Sequence, residues 1–475
     1  MLETLKNVFD AFGAAIFVPV MIYVIALILK VPGKKAFNSA LSAGVGLTGF
    51  SLITNSFIPI MVPIVDRMVK TTGIDLPILD IGWQATSVVA YSTQVGLVFI
   101  GIALIVQIAL FLLKWTNIFM PGDLWNNYSF MVWGSMLYLL TDNMFLAISC
   151  MVVLNLYILL FAEVYEKRFS TYYNYPNCAM TAPHHIGAVP YAIAMDWVLR
   201  KLGADKINLN PESIKKRLGF IGEPVTLGLI LGILLGIAGN FNQLNSLQAW
   251  GQIFTVGIST AAVMAVFPKV AGIFASAFTS LTDATKKTAK GSSKKQKREW
   301  YIAVNDAVGY GEPATLITGI LLIPIMVVLA IILPGNKALP MVDLIALPYM
   351  IIVIISISKG NIFKALISGA IWFSLGLYMC TITAEHFTEV AMGVGIDIPA
   401  GVMMITSFGI MNNPFMAVVF LAFLSQNVFI ITGVIVLYFI LYVFVRKNKT
   451  RIHDYLETAG TKQEIPEQVT SYKSI

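Results

Sequence analysis

Two Gly-Glu-Pro tripeptides interrupt stretches of the chain that are otherwise apolar enough to lie in a membrane. They are Gly222-Glu223-Pro224 and Gly311-Glu312-Pro313. A carboxylate at the edge of hydrocarbon costs roughly 2.5–3.5 kcal/mol, so its presence there favours a functional role. Proline removes a backbone donor and glycine loosens the backbone, which predicts a broken helix or hairpin tip at each site. The structural alternative is that each glutamate caps the free amides of a helix N-terminus.

Two adjacent histidines, His184 and His185, follow a proline inside a mostly apolar segment. An imidazole beside a broken membrane helix can donate to a sugar hydroxyl or transfer a proton, although a structural histidine at a turn would have the same sequence. Carboxylates that accept two hydrogen bonds suit vicinal hydroxyls, and an aromatic face suits sugar C–H groups. The other predicted substrate-binding residues are Asp80, Trp83, Gln84, Ser87, Gln94, Asp142, Asn143, Asp306, Glu223 and Glu312. Each of these could instead hold helices together.

No catalytic residue, metal or cofactor is predicted. The three cysteines, Cys150, Cys178 and Cys380, have no metal-binding or redox spacing. The sequence has no Gly-x-x-x-x-Gly-Lys-Ser/Thr loop for ATP, and no soluble domain that would carry a phosphoryl group. These observations leave open a permease that depends on other proteins and an ion-coupled transporter. An intramembrane enzyme is the weakest alternative, because no nucleophile–base pair appears.

The composition indicates a membrane protein. The chain has 475 residues, of which 57% are hydrophobic and 12% are charged, and its mean hydropathy is +0.79. A soluble domain has about 25% charged residues. At about 20 residues per span, we predict an all-α polytopic membrane protein with roughly ten to eleven transmembrane helices plus re-entrant hairpins. No removable signal peptide is predicted. The net charge of +7 comes largely from loops and does not indicate nucleic-acid binding.

Three segments are too short or too polar to be simple spans, namely residues 78–91, 175–189 and 399–414. Interrupted segments of this kind often mark a transport site. Basic clusters at 200–217 and 286–298 predict cytoplasmic loops on the inner side of a multi-pass protein. We expect a transmembrane domain over residues 1–447 and a polar cytoplasmic tail over 448–475.

Residues 19–36 and 324–338 share a proline, a following apolar run and a final Pro-Gly-x-Lys-Ala. This similarity either marks two structural halves or arises by chance between two apolar helices.

Several stretches resemble the galactitol-type enzyme IIC of the bacterial phosphotransferase system, in the ascorbate–galactitol superfamily. They are Asp80-Ile81-Gly82-Trp83, Pro183-His184, Gly222-Glu223-Pro224-Val225-Thr226, Pro334-Gly335-Asn336-Lys337-Ala338-Leu339-Pro340 and Gly360-Asn361. The resemblance extends over roughly residues 1–445. Three features differ from the family's pattern, namely Gln84-Ala85-Thr86-Ser87-Val88, His185 and the second Gly-Glu-Pro tripeptide at 311–313. The resemblance therefore leaves the particular polyol open.

The resemblance implies a permease subunit in the bacterial inner (plasma) membrane, surrounded by lipid, that imports galactitol or a related polyol or sugar. It implies phosphorylation of the substrate by separate enzyme IIA and IIB proteins, with a IIB phosphocysteine as the donor. It also implies a homodimer in which each subunit has a scaffold domain and a mobile core domain. The alternative is an ion-coupled secondary sugar transporter that uses Glu223, Glu312 and His184 as ion or proton sites.

Overall fold

A polar residue followed by proline starts several helices inside the apolar stretches. In the computed structural model of the chain, Glu312 and Asn413 each accept backbone N–H bonds from the first turn of a helix that begins at the next residue, a proline. Proline has no N–H group at a position where the helix would leave one unpaired. The capping side chain satisfies further N–H groups of that turn. This local pattern therefore sets where the apolar stretches break.

The structure describes residues 30–71, 73, 76–120, 127–290, 299–304, 306–310, 312–399 and 402–458, and several positions between 16 and 27. The predicted cytoplasmic positions 291–298 and 459–475 lie outside the described residues.

The first half of the chain alternates long helices with short strands and short helices. In order, its elements are α1 (Gly33–Thr71), β1 (Ile78–Asp80), α2 (Trp83–Ser92), α3 (Gln94–Leu112), β2 (Ile118–Phe119), α4 (Tyr128–Thr141), α5 (Met144–Tyr172), β3 (Cys178–Met180), α6 (Pro183–Ile186) and α7 (Val189–Lys201). A short 3-10 turn (Ala204–Lys206), helix α8 (Pro211–Leu218) and a second 3-10 turn (Gly219–Gly222) connect this half to the next.

The second half also alternates helices with three short strands, and it contains additional short helices and turns. They are α9 (Pro224–Gly239), a 3-10 turn (Phe241–Gln243), α10 (Leu247–Lys290), β4 (Tyr301–Val304), α11 (Ala307–Tyr310), α12 (Pro313–Ile332), β5 (Ala338–Leu339), a 3-10 turn (Asp343–Ala346), α13 (Leu347–Met350), α14 (Ile352–Ile357), α15 (Ile362–Gly393), β6 (Met404–Thr406), α16 (Phe408–Met411) and α17 (Pro414–Leu424). A final helix, α18 (Val428–Thr458), follows the second half.

Two three-stranded parallel sheets lie at the helix breaks. The first has the strand order β5-β1-β6, and the second has the order β2-β4-β3. Ile78 pairs with Ala338 on one side and with Met404 on the other. The all-α class is confirmed, and these sheets of two- to four-residue strands are an addition that the sequence analysis did not predict.

Each sheet takes its central strand from one half of the chain and both edge strands from the other half. The two halves are therefore interlocked repeats. This repeat differs from the similarity between residues 19–36 and 324–338, because Ala36 lies inside helix α1 whereas its counterpart Ala338 begins strand β5. That similarity does not correspond to the structural halves.

The three segments predicted to be interrupted contain β1 with α2, β3 with α6, and β6 with α16. In each, a short strand is followed within three residues by a helix. A fourth segment of this kind, β4 with α11, precedes the second Gly-Glu-Pro tripeptide. Since all four occur at the sheets, the broken segments converge on two places in the fold.

Among the described residues, six helices are long and apolar enough to cross a membrane, namely α3, α5, α10, α12, α15 and α18. A seventh crossing is possible if the pair 211–222 and 224–239, bent by 73° at Glu223, counts as one span. The number of roughly ten to eleven spans stays a prediction.

Helices α1, α9 and α10 pack against one another. Small residues allow close contact between them. A Cβ atom added at Gly232 would lie 2.7 Å from the backbone oxygen of Val256 and 2.8 Å from the Cα of Gly257. Such contacts are too close for any side chain, so this position requires glycine for packing.

Helix α18 extends beyond its apolar part to Thr458, so the predicted boundary between residues 447 and 448 falls inside a helix. Lys449 contacts the buried carboxylates of Glu163 at 3.2 Å and Glu166 at 2.6 Å. Arg446 lies 3.7 Å from Glu163. The basic residues after the last apolar stretch therefore attach this helix to α5.

Candidate functional site

Asp80 is fully buried at the end of the central strand of the first sheet. One of its carboxylate oxygens accepts the backbone N–H groups of Gly82 and Phe408, both at 3.0 Å. The other oxygen accepts those of Met341 at 3.0 Å and Asp343 at 2.7 Å. Four backbone donors, one from the same segment and three from two distant segments, therefore occupy the side chain that was predicted to bind substrate.

Asp343 is a second buried carboxylate beside Asp80, and the two residues together form one carboxylate centre. It accepts the N–H groups of Trp83 at 3.0 Å and Gly409 at 2.6 Å, and the hydroxyl of Ser407 donates to it at 2.8 Å. A buried carboxylate is tolerated only with such hydrogen bonds. The two aspartates thus join the starts of the short segments after β1, β5 and β6. The sequence analysis did not identify Asp343, because its structural role depends on hydrogen bonds with residues far along the chain.

At the second sheet, the structure brings together three predicted site residues, His184, His185 and Asp306. The Nε2 atoms of both histidines lie 3.1 Å from the same carboxylate oxygen, Oδ2 of Asp306. The two imidazole rings are 4.0 Å apart between centroids. The histidines come from α6 and the aspartate from the turn after β4, so the sheet pairing of β3 with β4 positions the group.

The surroundings of this group fix its protonation. His185 lies in the short helix α6, outside the spanning helices, and burial lowers its pKa to about 4, so its ring is neutral at physiological pH. Burial opposes ionisation of Asp306, but the hydrogen bonds from the two histidines outweigh it and hold the pKa of this carboxyl well below its usual range. We therefore describe Asp306 as a carboxylate and His185 as a neutral imidazole.

Two residues at the start of α4 complete the surroundings of His184. The Ser129 hydroxyl lies 2.9 Å from its Nδ1 atom, and the ring of Tyr128 lies 6.2 Å from the imidazole between centroids. Both ring nitrogens of His184 therefore have a partner. The phenol of Tyr128 interacts electrostatically with both Asp306 and Asp343, so this side chain lies near both carboxylate centres. Neither Ser129 nor Tyr128 was singled out from the sequence.

The two glutamates of the Gly-Glu-Pro tripeptides have different environments. Glu312 caps α12, where its carboxylate accepts the N–H groups of Ala314 at 3.0 Å and Thr315 at 2.8 Å. The Glu223 side chain is about half exposed, and it pairs with Lys215 at 3.1 Å. It therefore contacts the helix before the bend, whereas His184 contacts Ser129 and Asp306.

The remaining predicted residues lie near surfaces. Trp83 and Gln84 begin α2 with exposed side chains, Ser87 is partly exposed in the same helix, and Gln94 is exposed at the start of α3. Asp142 and Asn143 form the exposed turn between α4 and α5. Asn143 caps α5 by accepting the N–H group of Leu146 at 3.0 Å. Ser129, which contacts His184, lies at the opposite end of α4, so the length of this helix separates the turn from the group of His184 and Asp306.

Comparisons with known proteins agree with the resemblance of the sequence motifs. A putative permease IIC component of Escherichia coli (strain K12) is 29% identical over 404 residues, which cover 84% of this chain and 90% of that protein. The galactitol-specific EIIC components of the phosphotransferase systems of Escherichia coli (strain K12) and Escherichia coli O157:H7 are each 26% identical over 440 residues, which cover 92% of this chain and 94% of those proteins.

The family of sugar-specific permease components of the PTS, the phosphotransferase system, matches residues 7–401. The match and the long apolar helices indicate a membrane protein. They support a permease of this system, and they do not support the ion-coupled alternative. The chain belongs to the family of sugar-specific permease components of the phosphotransferase system.

Proposed function

We propose that this protein imports galactitol or a related polyol across the bacterial inner membrane, and that separate enzyme IIA and IIB proteins phosphorylate the substrate as it arrives. Membership of the family implies a sugar substrate and partner components in general. The similarity to two galactitol-specific components supports the choice of a polyol. The proposal includes a IIB phosphocysteine as the donor and a homodimeric permease.

The observation that carries the proposal is the convergence of broken, polar segments on two carboxylate centres near Tyr128. In transporters with repeated halves, substrates bind where discontinuous helices of the two halves meet. The interlocked sheets bring such segments together from both halves. We propose that the substrate binds between them, in contact with the indole of Trp83, the amide of Gln84 and the exposed part of Asp306.

The chemistry of these groups fits a polyol. An amide and a carboxylate together donate to and accept from hydroxyl groups. The indole of Trp83 is 42% exposed, so it offers an apolar face to the C–H groups of a polyol. The hydrogen-bonding capacity of Asp80, by contrast, is already used by backbone donors, and we assign it the role of positioning the segment that carries Trp83.

Reconstituted vesicles test the function. With phosphoenolpyruvate, the general phosphotransferase proteins, IIA and IIB supplied on the cytoplasmic side, we expect radiolabelled galactitol to accumulate as its phosphate. Omission of IIB should abolish the phosphorylated product. Accumulation of free galactitol driven by a proton or sodium gradient would overturn the proposal.

A matched pair of variants tests the site. Loss of one hydrogen bond to a substrate costs about 0.5–1.5 kcal/mol, so Gln84→Ala should weaken polyol binding by roughly 2- to 13-fold. Gln243→Ala is the control, because Gln243 is exposed in the turn after α9. Equal binding by the two variants would remove Gln84 from the site.

A further inference from the structure

The side chains of His184, His185 and Asp306 converge in a way that simple hydrogen bonding does not require. One ligand atom from each residue lies within 4.8 Å of the others. Adjacent residues usually direct their side chains apart, yet the turn of α6 brings both Nε2 atoms to the same oxygen of Asp306. A carboxylate with two oxygens could have received one imidazole on each. The arrangement instead directs three possible metal-ligand atoms, two nitrogens and one oxygen, into one small volume.

Two of the three distances within the group are close to those between ligands of a tetrahedral metal ion. Zn²⁺ binds imidazole nitrogen and carboxylate oxygen at about 2.0–2.2 Å, and two ligands of a tetrahedron at that radius lie roughly 3.3–3.5 Å apart. The two nitrogen–oxygen distances are 3.1 Å each. A shift of a few tenths of an ångström would therefore bring each nitrogen–oxygen pair to the separation of two ligands around the ion.

A second contact supports the arrangement. Metal-binding histidines usually bond to a neighbouring group through their other ring nitrogen, which fixes the tautomer and the orientation of the ring. Ser129 lies 2.9 Å from the Nδ1 atom of His184 and is fully buried. This contact holds the Nε2 atom of His184 towards Asp306.

We propose that His184, His185 and Asp306 form a binding site for a divalent transition-metal ion of the Zn²⁺ type. Two imidazoles and one carboxylate are a donor set that such ions accept. Three protein ligands leave at least one coordination position for an oxygen of water or of a substrate hydroxyl. The Asp306 side chain is 18% exposed, and this exposed part is the route by which an ion enters. The site departs from the expectation, drawn from the sequence, that the chain binds no metal.

The proposal does not rest on the identity of the transported sugar, and its test uses no sugar. The purified full-length protein, carrying no polyhistidine tag, is stripped with a chelator and titrated with Zn²⁺ alone by calorimetry. Titration with Co²⁺ reports the coordination geometry through its visible absorption. We expect one Zn²⁺ ion per chain and an intense Co²⁺ spectrum typical of four-coordinate sites.

Variants identify the ligands. Asp306→Asn and His185→Gln should weaken Zn²⁺ binding at least 100-fold, whereas His386→Gln, a substitution in α15 outside the group, should bind as the wild type does. His185 is buried and its variant is vulnerable to misfolding. A second pair of variants therefore keeps the test independent of that substitution.

Ser129→Ala should weaken Zn²⁺ binding about 10- to 100-fold, the usual effect of removing a partner of a metal-binding histidine. Ser135→Ala is its control, because Ser135 is equally buried in the same helix and bonds to Thr93 at 2.6 Å. Absence of saturable Zn²⁺ binding by the wild type, or equal binding by Asp306→Asn and the wild type, would overturn the proposal. Loss of the metal with unchanged polyol import would leave the proposed function intact.

Discussion

Replacement of Asp80 by asparagine should lower the free energy of unfolding by more than the loss of a negative charge alone would predict. The two oxygens of this buried carboxylate accept four backbone N–H groups, two on each oxygen. An asparagine amide keeps one oxygen and replaces the other with a nitrogen that donates. In either orientation of the amide, two backbone N–H groups lose their acceptor and face another donor.

The size of the loss in unfolding free energy follows from the two backbone N–H groups that no longer have an acceptor. Each buried donor without a partner costs about 1–3 kcal/mol, so Asp80→Asn should reduce the free energy of unfolding by roughly 2–6 kcal/mol. Removal of one negative charge also relieves the repulsion between Asp80 and Asp343. This relief places the expected loss in the lower half of the range.

Thermal unfolding of the purified protein in detergent, followed by size exclusion, measures the effect. Asp142→Asn is the control, because it makes the same chemical change at an exposed turn where the backbone φ of 51° is one that asparagine adopts readily. We expect that control to change stability by less than about 0.5 kcal/mol. An unfolding midpoint for Asp80→Asn equal to that of Asp142→Asn would refute the hydrogen-bond argument.

Three further predictions concern other parts of the molecule. Lys364 is buried between two aspartates at 2.6 and 2.8 Å, so Lys364→Met should cost about 3 kcal/mol in unfolding free energy, whereas the exposed ion pair lost in Lys70→Met should cost under about 1 kcal/mol. Denaturant titration of both variants checks this difference, and equal losses would contradict it. Gly232→Ala should lower the midpoint of thermal unfolding, because a Cβ atom there would collide with backbone atoms of α10. Gly251→Ala should leave the midpoint unchanged, because the space around Gly251 is open. An unchanged midpoint for Gly232→Ala would show that the helices separate easily. Burial, with two nearby arginines, lowers the pKa of Lys359 to about 8, so its acylation, followed by mass spectrometry, should rise with a midpoint near pH 8, and a midpoint above pH 10 would contradict that shift.

The sequence predicted the membrane class and the positions of the breaks well, because both depend on local signals. Hydrophobic runs of the right length mark helices, and the proline after Glu312 marks where a helix starts. The histidine pair and Asp306 were also identified separately as polar groups in apolar surroundings. Their meeting was not predicted, since it depends on β3 pairing with β4 more than a hundred residues later.

The hydrogen-bond partners of Asp80 show this limit of sequence-based prediction more clearly. Its hydrogen bonds to Met341, Asp343 and Phe408 span 261, 263 and 328 positions of the chain. No local pattern reports contacts at such separations, so a carboxylate that binds backbone amides and one that binds substrate have the same sequence signature. Strands of two to four residues are likewise too short to show a periodicity of their own.

The exchange of strands between the two halves has a consequence for synthesis. When residues 78–80 leave the ribosome, the two strands that will flank them do not yet exist, and the last of these ends at Thr406. The central strand of the first sheet must therefore remain without one of its two partner strands until more than three hundred further residues have been made and inserted. A product truncated after Val304 but before Met404 cannot complete the first sheet, whereas it contains all three strands of the second. The order of translation thus allows the second sheet to form early, and it delays the first sheet until most of the chain has been made.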